Sequence, residues 1–109
     1  MRIKSKKHRE WVATLPCLLC ADNTTVECAH VRYPDPRIAK PLTGTGIKPD
    51  DCFSVPLCGQ HHRAQHDQGD EQQFWLSGGI DPVLVALAMW AVSGDYESGM
   101  KICEAVHAA

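Results

Sequence analysis

The stretch VPLCGQHHRAQH places one cysteine and three histidines close together, and thiols and imidazoles are the side chains that zinc prefers. Cys58 and His61 stand as C-x-x-H, and Cys17 and Cys20 form a C-x-x-C pair earlier in the chain. Two such pairs supply the four ligands of a tetrahedral structural zinc site. The spacing therefore predicts one structural zinc, which would join two distant parts of a small domain.

The three remaining cysteines, Cys28, Cys52 and Cys103, have no paired spacing. Free cysteine packs readily as a small hydrophobic residue, so we interpret these three as buried thiols. Cys28 is the alternative zinc ligand, because it lies two residues before His30. Chance burial of all the cysteines is the competing interpretation of the whole pattern.

His62 and His66 are four residues apart, so on a helix they lie on the same face. Such a pair can bind one further divalent ion, as in H-x-x-x-H sites. Because adjacent helical residues point about 100° apart, His61 and His62 would serve ions on different sides of one helix. A merely solvated pair of histidines on a polar helix is the alternative.

Composition favours one small globular domain for these 109 residues, with 44% hydrophobic and 22% charged residues. We expect a metal core over about residues 15–69 and a helical part over about residues 70–109 of a single domain, 1–109. No apolar run is long enough to span a membrane, and the basic N-terminus lacks the apolar stretch of a secretory signal, so a cytoplasmic protein with reduced thiols is expected.

The pattern in the front part of the chain predicts a helix, two strands and a loop. Apolar spacing predicts a helix over residues 4–15, which Pro16 ends. Residues 24–32 alternate β-branched and small side chains, which predicts a strand, and CFSVP predicts a second strand that ends at Pro56. The prolines and glycines between them indicate a long loop.

Four further helices are predicted after the second strand. The first begins at Gly59 and stops near Gly69, and DEQQFWLSGG, DPVLVALAMWAVSG and YESGMKICEAVH follow. Asp81 and Pro82 are the expected N-cap and first residue of the third of these. Gly99 weakens the last helix. The expected core side chains are Trp75, Met89, Trp90, Met100 and Cys103.

Charge is unevenly distributed along the chain. A net charge of −2 and a pI near 6.3 argue against coating of nucleic acid through overall charge. The first nine residues are nevertheless strongly basic, so this end either contacts phosphates or is simply solvated.

Three segments, the C-x-x-C pair, ECAHVR and DDCFSVPLCGQHHRAQH, resemble the HNH (ββα-metal) endonucleases, most closely the compact phage and prophage type. The continuations GDEQQFW and GIDP are similar to the same group, which includes relatives of the recombination-enhancement nucleases. The resemblance covers roughly residues 15–90. It implies an α+β fold: a zinc-stabilised ββα-metal (His-Me finger) core, an N-terminal helix and two to three C-terminal helices.

The resemblance also implies residue roles. His30 becomes the general base, and His62 and His66 hold a catalytic divalent ion, Mg²⁺ or another. The HNH motif has a central asparagine that this sequence lacks. Asp51, or else Asp50, stands near that position and would orient His30. The family's additional ligand position is occupied by Ala29, so a loop residue, water or the substrate phosphate must complete the shell.

The implied activity is hydrolysis of DNA phosphodiester bonds, with DNA and possible recombination or phage replication proteins as partners. The expected phosphate contacts are Arg32, Arg37, Lys40, Lys48 and Arg63. The alternative is a non-catalytic zinc module that binds nucleic acid or a protein partner, because such a module needs only the structural site.

Overall fold

Helices surround a two-stranded antiparallel hairpin in the computed structural model, which describes residues 3–38 and 50–109. The elements are α1 (Lys6–Val12), β1 (Val26–His30), a 3₁₀ turn (Pro36–Ile38), β2 (Ser54–Cys58), α2 (Gly59–Asp67), α3 (Glu71–Gly78), α4 (Pro82–Ala91) and α5 (Tyr96–Ala108). The predicted α+β class is therefore confirmed, with an N-terminal helix and three helices after α2.

The predicted end of the second strand at Pro56 is wrong, because β2 continues to Cys58. In an antiparallel pair, hydrogen-bonded and non-bonded residue pairs alternate. The amide of Val31 donates to the carbonyl of Phe53 (2.7 Å), which places Pro56, opposite Cys28, in a non-bonded pair. The missing N–H of proline therefore costs the hairpin no hydrogen bond.

Local sequence signals locate the later helices correctly. The side chain of Asp81 caps α4 by accepting from the amide of Leu84, and proline follows it in the first turn. Gly69, Gly79 and Gly94 follow α2, α3 and α4 with φ values of 79°, 71° and 88°, which favour glycine. Over residues 3–38 and 50–109, no single helix is long and apolar enough to cross a membrane, although α3 and α4 pass that test as a pair bent by 84°.

Helix α1 is shorter than the predicted 4–15, because Ser5 caps it by accepting from the amide of His8. His8 is almost fully buried. Its ring stands nearly perpendicular to that of Trp90, with the ring centroids 4.7 Å apart, and its Nδ1 lies 2.7 Å from Oγ of Ser93. Burial lowers the pKa of His8, which favours the neutral ring. The basic N-terminus is thus partly built into the core.

The core joins α1, the hairpin and the C-terminal helices. Of the predicted core side chains, Trp75, Met89 and Cys103 are buried, while Trp90 and Met100 are half-buried. Gly99 of α5 has a packing reason that sequence alone did not indicate. A Cβ at this position would lie 2.8 Å from Cζ2 of Trp11 and 2.9 Å from Cδ2 of Leu15.

We therefore expect Gly99→Ala to lower the free energy of unfolding by about 1–3 kcal/mol, as overpacking typically does, despite the better helix propensity of alanine. The measurement is urea unfolding of the full chain. Gly78→Ala is the matched control, because the atom nearest to its Cβ, Cδ2 of Leu19, lies at 3.4 Å. Equal stability of the two variants would contradict this account of Gly99.

Candidate functional site

Three cysteines and one histidine converge at the junction of β2 and α2. The ligand atoms of Cys17, Cys20, Cys58 and His61 all lie within 4.8 Å of one another. Tetrahedral zinc, with Zn–S near 2.3 Å and Zn–N near 2.0 Å, sets sulfur atoms about 3.8 Å apart and sulfur and nitrogen about 3.5 Å apart. The Sγ atoms of Cys20 and Cys58 are 3.8 Å apart, and Sγ of Cys17 lies 3.6 Å from Nδ1 of His61. The cluster is therefore compatible with a structural zinc site.

The two halves of the cluster are prepared by local backbone structure. After α1, the amide of Ala21, which has a φ of 63°, donates to the carbonyl of Cys17 (2.9 Å), closing the turn that carries Cys20. Cys58 is the N-cap of α2, and its sulfur accepts from the amide of His61 at 3.5 Å. Both halves are thus shaped by residues close in sequence.

Long-range hydrogen bonds fix the cysteine turn against the rest of the fold. The amide of Leu18 donates to the carbonyl of Pro56 (3.1 Å), and Nε2 of His107 lies 2.9 Å from the carbonyl oxygen of Cys17. The turn after α1 therefore contacts both β2 and α5. The cysteine turn is thereby held between the hairpin and the last helix.

The other cysteines do not join this cluster. Cys28, the alternative ligand, is absent from the one group of at least three possible metal ligands within the described residues. Cys52 and Cys103 are buried, and burial raises the pKa of the Cys103 thiol to about 11. By contrast, the pKa of Cys58 is lowered: burial opposes ionisation, but hydrogen bonds from His61 and neighbouring thiols outweigh it. Position rather than thiol acidity distinguishes the cluster, because the pKa of its member Cys20 is raised to about 11: a backbone hydrogen bond lowers it, but burial and the neighbouring thiols outweigh that bond.

His62 and His66 converge on the outer side of α2. Their Nε2 atoms lie 3.3 Å apart. Two imidazole nitrogens on one ion at about 2.0–2.1 Å are separated by about 2.9 Å at a right angle and about 3.4 Å in a tetrahedron. On the other side of the first ring, Nδ1 of His62 lies 2.8 Å from Oε1 of Glu27 in β1. The pair therefore fits a divalent ion bound through two nitrogen atoms.

His30 forms a second group with the buried carboxylate of Asp51. Its Nε2 lies 2.9 Å from Oδ1 of Asp51, while Oδ2 accepts from the amide of Ser5 (2.7 Å) and from Nη1 of Arg9 (2.5 Å). Burial alone would raise the pKa of Asp51, but the hydrogen bonds from His30, Ser5 and Arg9 lower it to about 2. An ionised carboxylate only accepts, so Nε2 of a neutral His30 carries the proton and Nδ1 is its basic nitrogen.

The structure selects Asp51 over Asp50 as the partner of His30. Asp50 instead accepts from the amide of Ile3 at 2.8 Å. The two aspartates thus bind neighbouring parts of the N-terminal segment, and only Asp51 also contacts the histidine.

The predicted residues come together as two groups rather than one. Glu27 and His30 are three residues apart on β1, about 10 Å along the strand, and the pleat places them on opposite faces. Ala29, at the additional ligand position that the resemblance implies, is fully buried among apolar side chains. It therefore offers no ligand atom to either group.

The expected phosphate contacts have different surroundings. Arg63 and Arg32 are exposed. Arg63 also lies near Glu27, because both side chains approach the same point above Gly59. A Cβ on Gly59 would lie 3.4 Å from Nη1 of Arg63 and 3.5 Å from Oε2 of Glu27. Arg37 pairs with carboxylates, at 2.5 Å to Oδ2 of Asp35 and 2.9 Å to Oδ2 of Asp81, so its charge is already balanced within the chain.

Two of the five expected contacts, Lys40 and Lys48, lie outside the described residues. Two other residues, Glu27 and Arg9, were not identified from the sequence. Glu27 had a weak signal, since it shares a strand face with Ala29, whereas nothing near Arg9 in the chain indicated its contact with Asp51.

Comparison with known families defines what the chain is related to. The model of a family described as "Protein of unknown function (DUF968)" matches residues 1–95, so the chain belongs to this family. No curated protein and no solved structure matches the chain.

The Cys₃His geometry predicts about one zinc per chain, with Cys58→Ser losing both the zinc and the cooperative fold, because metal binding free energy is then folding free energy. Elemental analysis and thermal unfolding measure the two effects. Cys103→Ser is the matched control, a buried thiol outside the cluster, and should keep the zinc. A metal-free wild-type protein that folds cooperatively would contradict the prediction.

Asp51→Asn should lower the free energy of unfolding by about 1–3 kcal/mol at pH 7, because Arg9 and the amide of Ser5 lose a charged acceptor. The pKa of Asp51 falls from 3.8 to about 2 on folding, so its stabilisation is complete above about pH 4 and is lost as the pH falls through 2. The difference between variant and wild type should therefore not shrink from pH 8 to about 5.5. Urea unfolding across this pH range measures the difference, with Asp67→Asn at an exposed position as the control. A difference in the free energy of unfolding that shrinks between pH 8 and about 5.5 would contradict this role of Asp51.

Proposed function

We propose that this protein is an HNH-type endonuclease that hydrolyses DNA phosphodiester bonds with a divalent ion held by His62 and His66. The observation that carries the proposal is the 3.3 Å approach of the two Nε2 atoms on the exposed side of α2. A zinc module without catalysis has no need of this second pair. The ββα-metal core would consist of β1, β2 and α2.

In this proposal, the Cys₃His cluster binds a structural zinc that fixes the start of α2. Cys58 ends β2 and His61 stands in the first turn of the helix, so the zinc sets the position from which His62 projects. The structural and catalytic ions then occupy different sides of one helix.

A divalent ion at the histidine pair would supply charge stabilisation at a phosphate oxygen. His62 and His66 would orient that phosphate, and the exposed guanidinium of Arg63 would hold a neighbouring one. Imidazole ligands suit transition ions, whereas Mg²⁺ prefers oxygen ligands and gives up its waters reluctantly, so we infer that a transition ion such as Mn²⁺ supports the reaction better than Mg²⁺.

His30 would act as the general base. Asp51 holds the proton on Nε2, so Nδ1 accepts a proton from the attacking water. The water oxygen forms a bond to phosphorus, the bond to the 3′ oxygen breaks, and that oxygen takes a proton from solvent. The attacking water and the ion must act on the same phosphate, whereas His30 and the histidine pair lie on opposite faces of β1, so this step requires the two groups to move together when the substrate binds.

The test is nicking of supercoiled plasmid by the zinc-containing full chain, with Mn²⁺ or Mg²⁺ added. We expect His62→Ala and His66→Ala to lose cleavage while keeping the zinc. Gln68→Ala, an exposed change at the end of α2, is the matched control and should cleave as the wild type does. Preparing all variants in parallel also controls for contaminating nucleases.

His30→Ala should keep the zinc and lose about a hundred- to ten-thousand-fold in rate, because a positioned base is removed. Its residual rate should rise with pH, as hydroxide replaces the base. If His30 is only a structural residue, the variant loses stability but keeps its turnover per folded molecule.

The separation of the two groups specifically favours the second candidate, a non-catalytic zinc module that binds nucleic acid or a protein. It predicts intact plasmid with either ion. An electrophoretic shift of DNA by the zinc-containing protein, together with absent cleavage, would replace the nuclease by this module.

A further inference from the structure

Glu27 contacts the histidine pair from the neighbouring strand. Its Oε1 lies 2.8 Å from Nδ1 of His62, across a sequence separation of 35 residues. The opposite nitrogen of that ring, Nε2, is the one that lies 3.3 Å from His66. One imidazole thus has a carboxylate at one nitrogen and a second imidazole at the other.

This arrangement determines which nitrogen of His62 can bind a metal. A neutral imidazole carries one proton, and only its unprotonated nitrogen has a lone pair for a metal ion. An ionised carboxylate can only accept a hydrogen bond, so Glu27 favours the proton on Nδ1. The lone pair of Nε2 is then directed toward His66.

We propose that Glu27 is the positioning residue of the second metal site, where it holds the ring of His62 and keeps it in the tautomer that binds metal through Nε2. This inference rests on the divalent ion of the proposed function and deepens it. Carboxylates that hold metal-binding imidazoles in this way raise the basicity of the ligand.

Glu27 also contributes negative charge that Ala29 does not. The two residues share a face of β1, but Ala29 is fully buried, whereas 54% of the Glu27 side chain is exposed. The carboxylate of Glu27 therefore acts on the site by contacting the ring of His62. It does not stand at the position of Ala29, where many HNH endonucleases carry a metal ligand.

An ordinary surface ion pair between Glu27 and His62 makes a different prediction. Exposed pairs contribute little to stability, and such a pair would have no effect on metal affinity. The 3.3 Å approach of the two Nε2 atoms does not separate the two interpretations, because a hydrogen bond between the rings also gives it. Metal affinity and the tautomer of His62 therefore separate the two interpretations.

The first measurement is a titration of the zinc-containing full chain with Mn²⁺, followed by electron paramagnetic resonance. Mn²⁺ does not displace zinc from thiolates, because it is the weakest binder of the divalent series. We expect Glu27→Ala to weaken Mn²⁺ binding by about 10- to 100-fold without loss of zinc. Glu27→Gln should be intermediate, since its amide oxygen still accepts the Nδ1 proton but carries no charge.

The matched control is Glu104→Gln, an equal change of charge at an exposed position of α5. It should bind Mn²⁺ as the wild type does. His66→Ala serves as the reference for loss of the site.

The second measurement is the tautomer of His62, read from the ¹⁵N resonances of its ring in zinc-containing protein without Mn²⁺. We expect the proton on Nδ1 in the wild type and a mixture of tautomers in Glu27→Ala. Wild-type Mn²⁺ affinity and an unchanged tautomer in Glu27→Ala would overturn the role of Glu27 and leave the second site standing.

The remaining outcomes also decide. Absence of Mn²⁺ binding by the wild type would overturn both the second site and the role of Glu27. Mn²⁺ binding that depends on Glu27, in a protein that does not cleave plasmid, would support this inference and reject the nuclease.

Discussion

The Cys₃His cluster is the constraint on which the positions of the other site residues depend. It joins the turn after α1 to the end of β2 and the first turn of α2, with all four ligand atoms within 4.8 Å. A domain of this size buries a limited apolar core, so a zinc bound by these four residues would add to the stability of the fold. Because Cys58 is also the N-cap of α2, the same residue fixes where the helix begins.

The helix places its histidines in two separate groups. His61 faces the thiols, while His62, one residue later, faces Glu27, as the rotation of about 100° per residue requires. Movement of the cluster would therefore move the histidine pair. In the proposed function, one of the three histidines of this segment serves the cluster and the other two bind the second ion.

A second constraint is the buried carboxylate of Asp51, which joins the N-terminal segment to the hairpin. Arg9 and the amide of Ser5 bind one oxygen and His30 binds the other. Part of the basic N-terminus thus forms contacts within the protein. The number of positive charges in the sequence therefore exceeds the number that are free to bind phosphate groups. The same holds for Arg37, which two carboxylates neutralise.

The sequence by itself determined the class of fold, the residues of the Cys₃His cluster and most helix boundaries. These features depend on residues that are close in the chain: the C-x-x-C and C-x-x-H spacings, Asp81 and Pro82 at the start of a helix, and glycines after helix ends. Only the tertiary structure decided the contacts of Glu27 with His62 and of Arg9 with Asp51. It also placed Pro56 inside a strand. These features depend on strand register and on which faces of distant elements meet, and no local pattern encodes either.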